Sequence, residues 1–489
     1  MYLLTKEADD LWIVFSPQEK LRLGDTLKID EIVAQVIDIQ FADLPGVLQH
    51  ILRRSLIPKS ETEERIQPEV KSIVDSLADQ KVALAKIRGR IVEVDDGRGN
   101  KTKCFRTGIS EFNLSRSKSQ IEIMSQDELL QALGLKSTAT SEFANTLSTE
   151  AKGYAIPAER LGINLITGMK GSGKSYAAKK VLLELIKRRV LTLVFDVNGE
   201  YLNLWKRSEN QPNDYMNYIR ILTPHLRTAQ ASELPFAIPL NETSYDDFAK
   251  YLNVQEGSPT YQHLVQFWKQ QSGKQFDLND LEAYVSNEKN VQNEAVRIAL
   301  QGRVAVAKAS GLFGPSSITS LIKELHESGG AIVFNLSRIS AWERGIVVKY
   351  VLGKLSDLGH SNTIRAVSLF LEEAQLYVEP ENMVNILTRM RHVGVFPTFI
   401  TNDPRTLPDE VFTLLDNLIA FAFRNEDELR QLAKSGLIDT GTVNALKNLE
   451  NRQCVAVGSI TSNYPIFLEV KAQPGVVMGG ESRKLVPSS

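Results

Sequence analysis

One stretch constrains this chain more than any other: Gly168-Met169-Lys170-Gly171-Ser172-Gly173-Lys174-Ser175. An apolar run, Ile163 to Thr167, precedes it and reads as a buried strand. Tyr176 to Arg189 follows as an uninterrupted stretch of good helix formers. A strand, a glycine loop closing on Gly-Lys-Ser and a helix together form the context of a phosphate-binding loop. The glycines let successive backbone N–H groups turn toward one anion, and the helix N-terminus adds its partial positive charge there. In this reading Gly168 through Tyr176 hold a nucleotide. Lys174 reaches the β- and γ-phosphates, and the Ser175 hydroxyl is a ligand for Mg²⁺.

The remaining totals are permissive. A chain of 489 residues suggests about two to four domains. With 43% hydrophobic and 24% charged residues, it has the composition of a folded globular protein. Cys104 and Cys454 make no metal-ligand spacing. No apolar run approaches the roughly 18 residues of a membrane span, and residues 1–7 lack the pattern of a signal peptide. The expectation is a cytoplasmic protein with no membrane partner. A net charge of −2 excludes a basic protein that coats nucleic acid, while leaving room for a few local phosphate contacts.

Taken in order, residues 1–124 read as a β-rich domain, with helical periodicity interrupting it over about 43–80. Residues 125–153 read as a short helix and a linker. Ser125 and Glu128 have capping-box spacing at the start of that helix. Buried-type strands alternating with helices over 154–243 and 331–471 predict an α/β core with a parallel sheet. Between them, 244–330 is a helical insertion, and 472–489 reads as a flexible tail.

Hydrolysis needs acidic groups beside the phosphate loop. Leu369-Phe370-Leu371-Glu372-Glu373 places two at the end of an apolar strand, the edge where such sheets bind ligands. Glu372 is assigned to Mg²⁺ and Glu373 to the attacking water. Asp196 and Glu200 close the strand after the loop helix. Glu200 serves the metal shell or the water, or else the Asp-x-x-Gly-Glu pattern is a turn. Asn402 is placed to touch a γ-phosphate or the water, though Asp403-Pro404 also marks a turn there. Arg389, Arg391 and Arg424 are candidates for a guanidinium supplied in trans. Taken singly, each also reads as a solvated or paired residue.

This combination resembles the HerA branch of the HerA/FtsK superfamily of DNA-pumping ATPases. The resemblance rests on Thr167–Ser175, Phe195-Asp196-Val197-Asn198-Gly199-Glu200-Tyr201, Leu371–Gln375, Arg391–Gly394 and Thr401–Pro404. It implies a RecA-like P-loop ATPase core with a helical insertion, preceded by a small barrel-like N-terminal domain. It also implies ATP and Mg²⁺ as cofactors, a homohexameric ring and double-stranded DNA in its pore. A nuclease or other effector, in DNA processing or antiphage defence, would dock on the N-terminal domain. Arg391 and Arg424 match the family's late arginines. Lys269, Lys274, Arg303 and Lys308 are candidate pore contacts, although surface charge is the ordinary reading of each. The family usually has His where Gln375 stands and Gln where Asn402 stands, which marks a divergent member. A second expectation is an ATP-regulated hexameric scaffold that activates its partner, with DNA pumping secondary. A secretion or conjugation ATPase of related fold ranks behind both.

Overall fold

Seven parallel strands form the sheet that carries the nucleotide motif. In spatial order they are Glu233–Phe236, Ile219–Pro224, Gly330–Asn335, Leu191–Asp196, Val367–Glu372, Val395–Thr401 and Asn164–Thr167. Four of them, Gly330–Asn335, Leu191–Asp196, Val367–Glu372 and Asn164–Thr167, are buried along their whole length. That explains their near-continuous apolar sequence, since strands covered on both faces have no polar side to show. The structure is a computed structural model. It describes residues 1–16, 18–41, 81–95, 101–107, 114–115, 118–135, 143–208, 211–226, 233–315 and 317–478. The helical periodicity over 43–80 lies outside the described residues.

The chain divides into two compact units. One comprises Met1–Pro157 with Ala420–Lys471, and the other Ala158–Ile419 with Ala472–Ser489. The second unit holds the parallel sheet and the helical insertion. Helices Tyr245–Tyr251, Pro259–Gln270, Leu278–Ser286, Glu294–Ser310 and Thr319–Ser328 lie between strands Glu233–Phe236 and Gly330–Asn335. Four of the five start where the sequence supplies a cap. Ser244, Ser258, Asp277 and Asn293 each accept a backbone N–H of the first turn, filling donors the helix leaves orphaned. Phe248, Phe267, Trp268, Phe276 and Tyr284 pack ring against ring between these helices, so the insertion has its own apolar centre.

The first unit is built from antiparallel strands. Tyr2–Glu7, Asp10–Phe15, Lys81–Asp95, Ile32–Phe41, Thr26–Ile29 and Ile121–Ile123 pair in that order, and Lys101–Arg106 joins the long Lys81–Asp95 strand. Register shifts at Val33/Ala34 and Val36/Asp38 bend Ile32–Phe41, as bulges do in sheets that curl toward closure. Gly89 is required by close approach, because a Cβ there would lie 2.4 Å from the Arg106 carbonyl oxygen. Strands Gln453–Gly458, Ile466–Val470, Ala144–Thr146 and Gly153–Tyr154 form an antiparallel run in the same unit. Part of the segment expected as a linker is therefore paired strand.

Buried polar contacts fix these two groups of strands to each other. The Thr26 and Tyr464 hydroxyls are 2.7 Å apart, and Gln35 Nε2 donates to the Pro465 carbonyl at 2.6 Å. Arg88, 8% exposed, donates to Asp439 and to the Thr442 hydroxyl. Burial disfavours the Asp439 carboxylate, but the Arg88 guanidinium and the Thr442 hydroxyl and N–H outweigh it and hold the pKa at about 2.

A pKa held below the unfolded value contributes stability that is present above the unfolded pKa near 3.9 and lost as pH falls toward 2. Asp439→Asn is therefore expected to lower stability by about 2 kcal/mol at neutral pH. The gap from wild type should close between about pH 4 and pH 2. Thermal melting across that range measures it, and a gap independent of pH would refute the assignment.

Candidate nucleotide site

Four parallel strands bring buried polar residues to one edge of the sheet. Thr167, Asp196, Glu372 and Thr401 are all strand-terminal and at most 2% exposed. Thr167 is in register with Thr401, and its hydroxyl donates to the Thr401 carbonyl at 2.9 Å. The glycine loop leaves from Thr167. Gly173 has φ 108° and forms the N-cap of helix Lys174–Lys187. A side chain would strain that conformation. The helix begins at Lys174, two residues before the run that the composition predicts. It is buried nearly all round, through Ala177, Ala178, Val181, Leu182, Leu185 and Ile186, so the loop rests on a packed base.

The acidic pair occupies two unlike environments. Glu373 adopts φ 45°, ψ 51°, a left-handed conformation that breaks the strand and turns its carboxylate from the Glu372 side. Its Oε1 accepts from Asn402 Nδ2 at 2.7 Å and Asn402 N at 3.2 Å, and lies 3.8 Å from Lys174 Nζ. Its Oε2 accepts from Gln375 Nε2 at 2.7 Å and from the Thr401 hydroxyl at 3.0 Å. Glu372 is the opposite case: both carboxylate oxygens are buried with no hydrogen-bond partner, as are the hydroxyls of Tyr201 and Tyr377. Burial, then the charges of Asp196 and Glu200, push the Glu372 pKa well above the carboxylate range, and Lys174 and Lys179 pull against that shift. Burial and the Glu372 charge raise both tyrosine hydroxyls in turn. A buried carboxylate with idle oxygens calls for a cation. On that ground the Glu372 oxygens fit a bound cation such as Mg²⁺.

Asp196 and Glu200 divide their work. Asp196 accepts the backbone N–H groups of Asn198 at 3.2 Å, Glu200 at 3.0 Å and Tyr201 at 2.9 Å. It therefore folds the turn that presents Glu200. Burial nevertheless raises its pKa, while those N–H groups and Lys179 oppose the shift. Glu200 accepts from Lys179 Nζ at 3.3 Å.

Among the residues expected at the site, Lys174, Ser175, Glu372, Glu373, Asn402, Glu200 and Arg391 fall in the second unit. Asn402 points its amide at Glu373. Arg391 pairs with Asp416 at 3.4 Å and is 53% exposed. Asp416 also accepts the Ile163 N–H at the start of the phosphate-loop strand. Arg389 is exposed on helix Pro380–Met390. Arg424 is exposed and belongs to the first unit. Of the candidate pore residues, Lys308 is paired with Glu282 at 2.7 Å.

Three contributors escaped the sequence reading. Thr401 enters the sequence analysis as a strand end and as part of the Thr401–Pro404 motif, with no role of its own. Lys179, 1% exposed, is a buried cation in the loop helix, and its chemistry was legible only as helix propensity. Residues 472–478, expected as part of a flexible tail, are bonded to that helix and to Lys206. The Gln473 N–H donates to the Tyr176 hydroxyl, Lys179 Nζ donates to the Met478 carbonyl at 2.7 Å, and Val477 N donates to the Lys206 carbonyl at 2.8 Å.

Removing Lys179 leaves buried carboxylates without their counter-charge. Lys179→Met is expected to cost roughly 3 kcal/mol. Lys179→Met with Glu200→Gln should recover part of that loss, because the two residues are coupled. Denaturant unfolding of the single and double variants measures this, and strict additivity would refute the coupling.

Residues 164–355 match the family model described as the central domain of helicase HerA. None of the curated proteins matches the chain. Among solved structures, VirB4 of Thermoanaerobacter pseudethanolicus is similar at 16% identity and a TM-score of 0.46, covering 69% of this chain and 98% of its own. The plasmid coupling protein TrwB, solved with the non-hydrolysable GTP analogue GDPNP, is 14% identical with a TM-score of 0.43, covering 73% and 96%. The genome packaging NTPase B204 from Sulfolobus turreted icosahedral virus 2, solved with AMP, is 14% identical with a TM-score of 0.32, covering 64% and 98%. Residues 164–355, which hold the phosphate loop and most strands of the parallel sheet, are thus similar to the central domain of helicase HerA.

Proposed function

We propose that the chain hydrolyses ATP as a motor on double-stranded DNA, working as a homohexamer with a nuclease or other effector in DNA processing or antiphage defence. The observation that carries the hydrolytic part is the approach of Glu373 Oε1 to Lys174 Nζ at 3.8 Å. It sets a carboxylate beside the lysine that would hold the γ-phosphate. The loop from Gly168 to Gly173 and the N-terminus of the helix at Lys174 bind the triphosphate through backbone N–H groups. Tyr176 continues the same helix.

Glu372 and Ser175 would hold Mg²⁺, which when bound neutralises phosphate charge. Glu373 orients the attacking water and accepts its proton. Asn402, already on the Glu373 oxygen nearest Lys174, is the amide best placed to exchange between that carboxylate and a bound phosphate. Glu200 tunes the charge around Glu372. Arg391 or Arg424, both exposed, would meet the transition-state charge of a neighbouring subunit. In its present pairing Arg391 is held by Asp416, an ion pair at a half-exposed position that is weak enough to exchange.

A second reading is an ATP-regulated ring that gathers and activates its partner. It draws on the same carboxylate, because both Glu373 oxygens are fully engaged, as suits a site at rest.

Lys174→Ala is expected to abolish ATP hydrolysis. Glu373→Gln should lower turnover by about 10²-fold or more while keeping ATP binding. Duplex DNA should stimulate the wild-type rate. ATPase assays with and without DNA, run beside mass photometry, test both parts. DNA-independent turnover by a monomer would overturn the motor reading. Partner activation that survives in Glu373→Gln would select the ring scaffold.

A further inference from the structure

The two oxygens of Glu373 have different neighbours. Oε1 faces Lys174 and the Asn402 amide, both groups that a bound nucleotide would engage. Oε2 is held by Gln375 Nε2 at 2.7 Å and the Thr401 hydroxyl at 3.0 Å, and neither of these belongs to the phosphate loop. The Thr401 oxygen also accepts the Asp403 N–H at 3.1 Å. Its single proton has two acceptors in reach, the Glu373 carboxylate at 3.0 Å and the Asp403 carbonyl at 3.3 Å, and the carboxylate is the nearer and the charged one.

Gln375 carries the stronger signal. Its Oε1 is buried and has no hydrogen-bond partner. Turning the amide over would set that oxygen against the Glu373 carboxylate, so the orientation is dictated by Glu373 alone. A half-buried amide that leaves a shielded acceptor idle in order to donate to one carboxylate is poorly explained as packing.

We propose that Gln375, with Thr401, is a positioning residue for Glu373. The two fix Oε2 and thereby present Oε1 as the working edge toward Lys174 and the reacting water. This rests on Glu373 acting as the base. The requirement is for an N–H or O–H donor at each position. The chain therefore tolerates a different donor at 375, but not an isostere that lacks one.

The test uses the full chain, with steady-state ATPase kinetics, equilibrium binding of a fluorescent ATP analogue and thermal melting. Gln375→Met should lower kcat about tenfold while KM and analogue affinity stay within about twofold. Gln375→His should restore kcat to within about threefold of wild type. Thr401→Val should behave like Gln375→Met, and Thr401→Ser like wild type. An unchanged kcat in Gln375→Met would overturn the proposal. So would a loss confined to KM, or equal losses in Gln375→Met and Gln375→His at wild-type melting temperature. If Gln375→Met does not fold, the Thr401→Val and Thr401→Ser pair decides alone. Glu373→Gln separates the two levels. Wild-type turnover in that variant removes the base reading itself. A dead Glu373→Gln beside a fully active Gln375→Met removes only the positioning role.

Discussion

The structure around the nucleotide motif depends on keeping several carboxylates buried at one edge of a parallel sheet. Asp196, Glu372 and Glu373 are each at most 8% exposed. Burying an unpaired charge costs far more than any single contact returns. Each of the three meets that cost differently. Asp196 spends its oxygens on the backbone of its own turn. Glu373 collects side-chain and backbone donors. Glu372 has neither: burial with Asp196 and Glu200 favours its neutral form, and only Lys174 and Lys179 oppose that shift. The lysines are the common element: one belongs to the loop and the other lies five residues along the same helix. The helix that follows the phosphate-loop motif is therefore also the helix that makes the acidic edge tolerable.

Much of this was legible from the chain. The phosphate loop, the doubled glutamate and the Asp196–Tyr201 turn are local patterns, and each ends a strand because apolar runs buried on both faces can only be central strands. The insertion was legible as helical, through capping residues such as Ser258 and Asp277. What stayed hidden depends on long-range pairing. Arg88 and Asp439 are 351 residues apart, and no periodicity links them, so the association of 420–471 with the N-terminal strands had no local signature. Lys179 reads as any helical lysine until its burial is known. The difference between Glu372 and Glu373 arises from one left-handed backbone conformation at Glu373, which sequence does not announce for a non-glycine residue.

The first unit follows a different rule. Its strands are antiparallel, and its junctions include buried hydrogen bonds and a shielded ion pair, Arg88–Asp439. Such contacts are directional. They fix one packing of the Gln453–Gly458 run against the N-terminal strands, where apolar contact alone would leave several.

The contacts of residues 472–478 have a consequence for how the protein comes to exist. The Tyr176 hydroxyl and the Lys179 ammonium receive partners that are 297 and 299 residues further along the chain. Synthesis runs from the N-terminus, so the phosphate-loop helix is made before residues 472–478. Until that stretch appears, Lys179 lacks one of its acceptors and Tyr176 the donor that its hydroxyl receives. The helix beside the phosphate loop is thus completed only after about 290 further residues have been added.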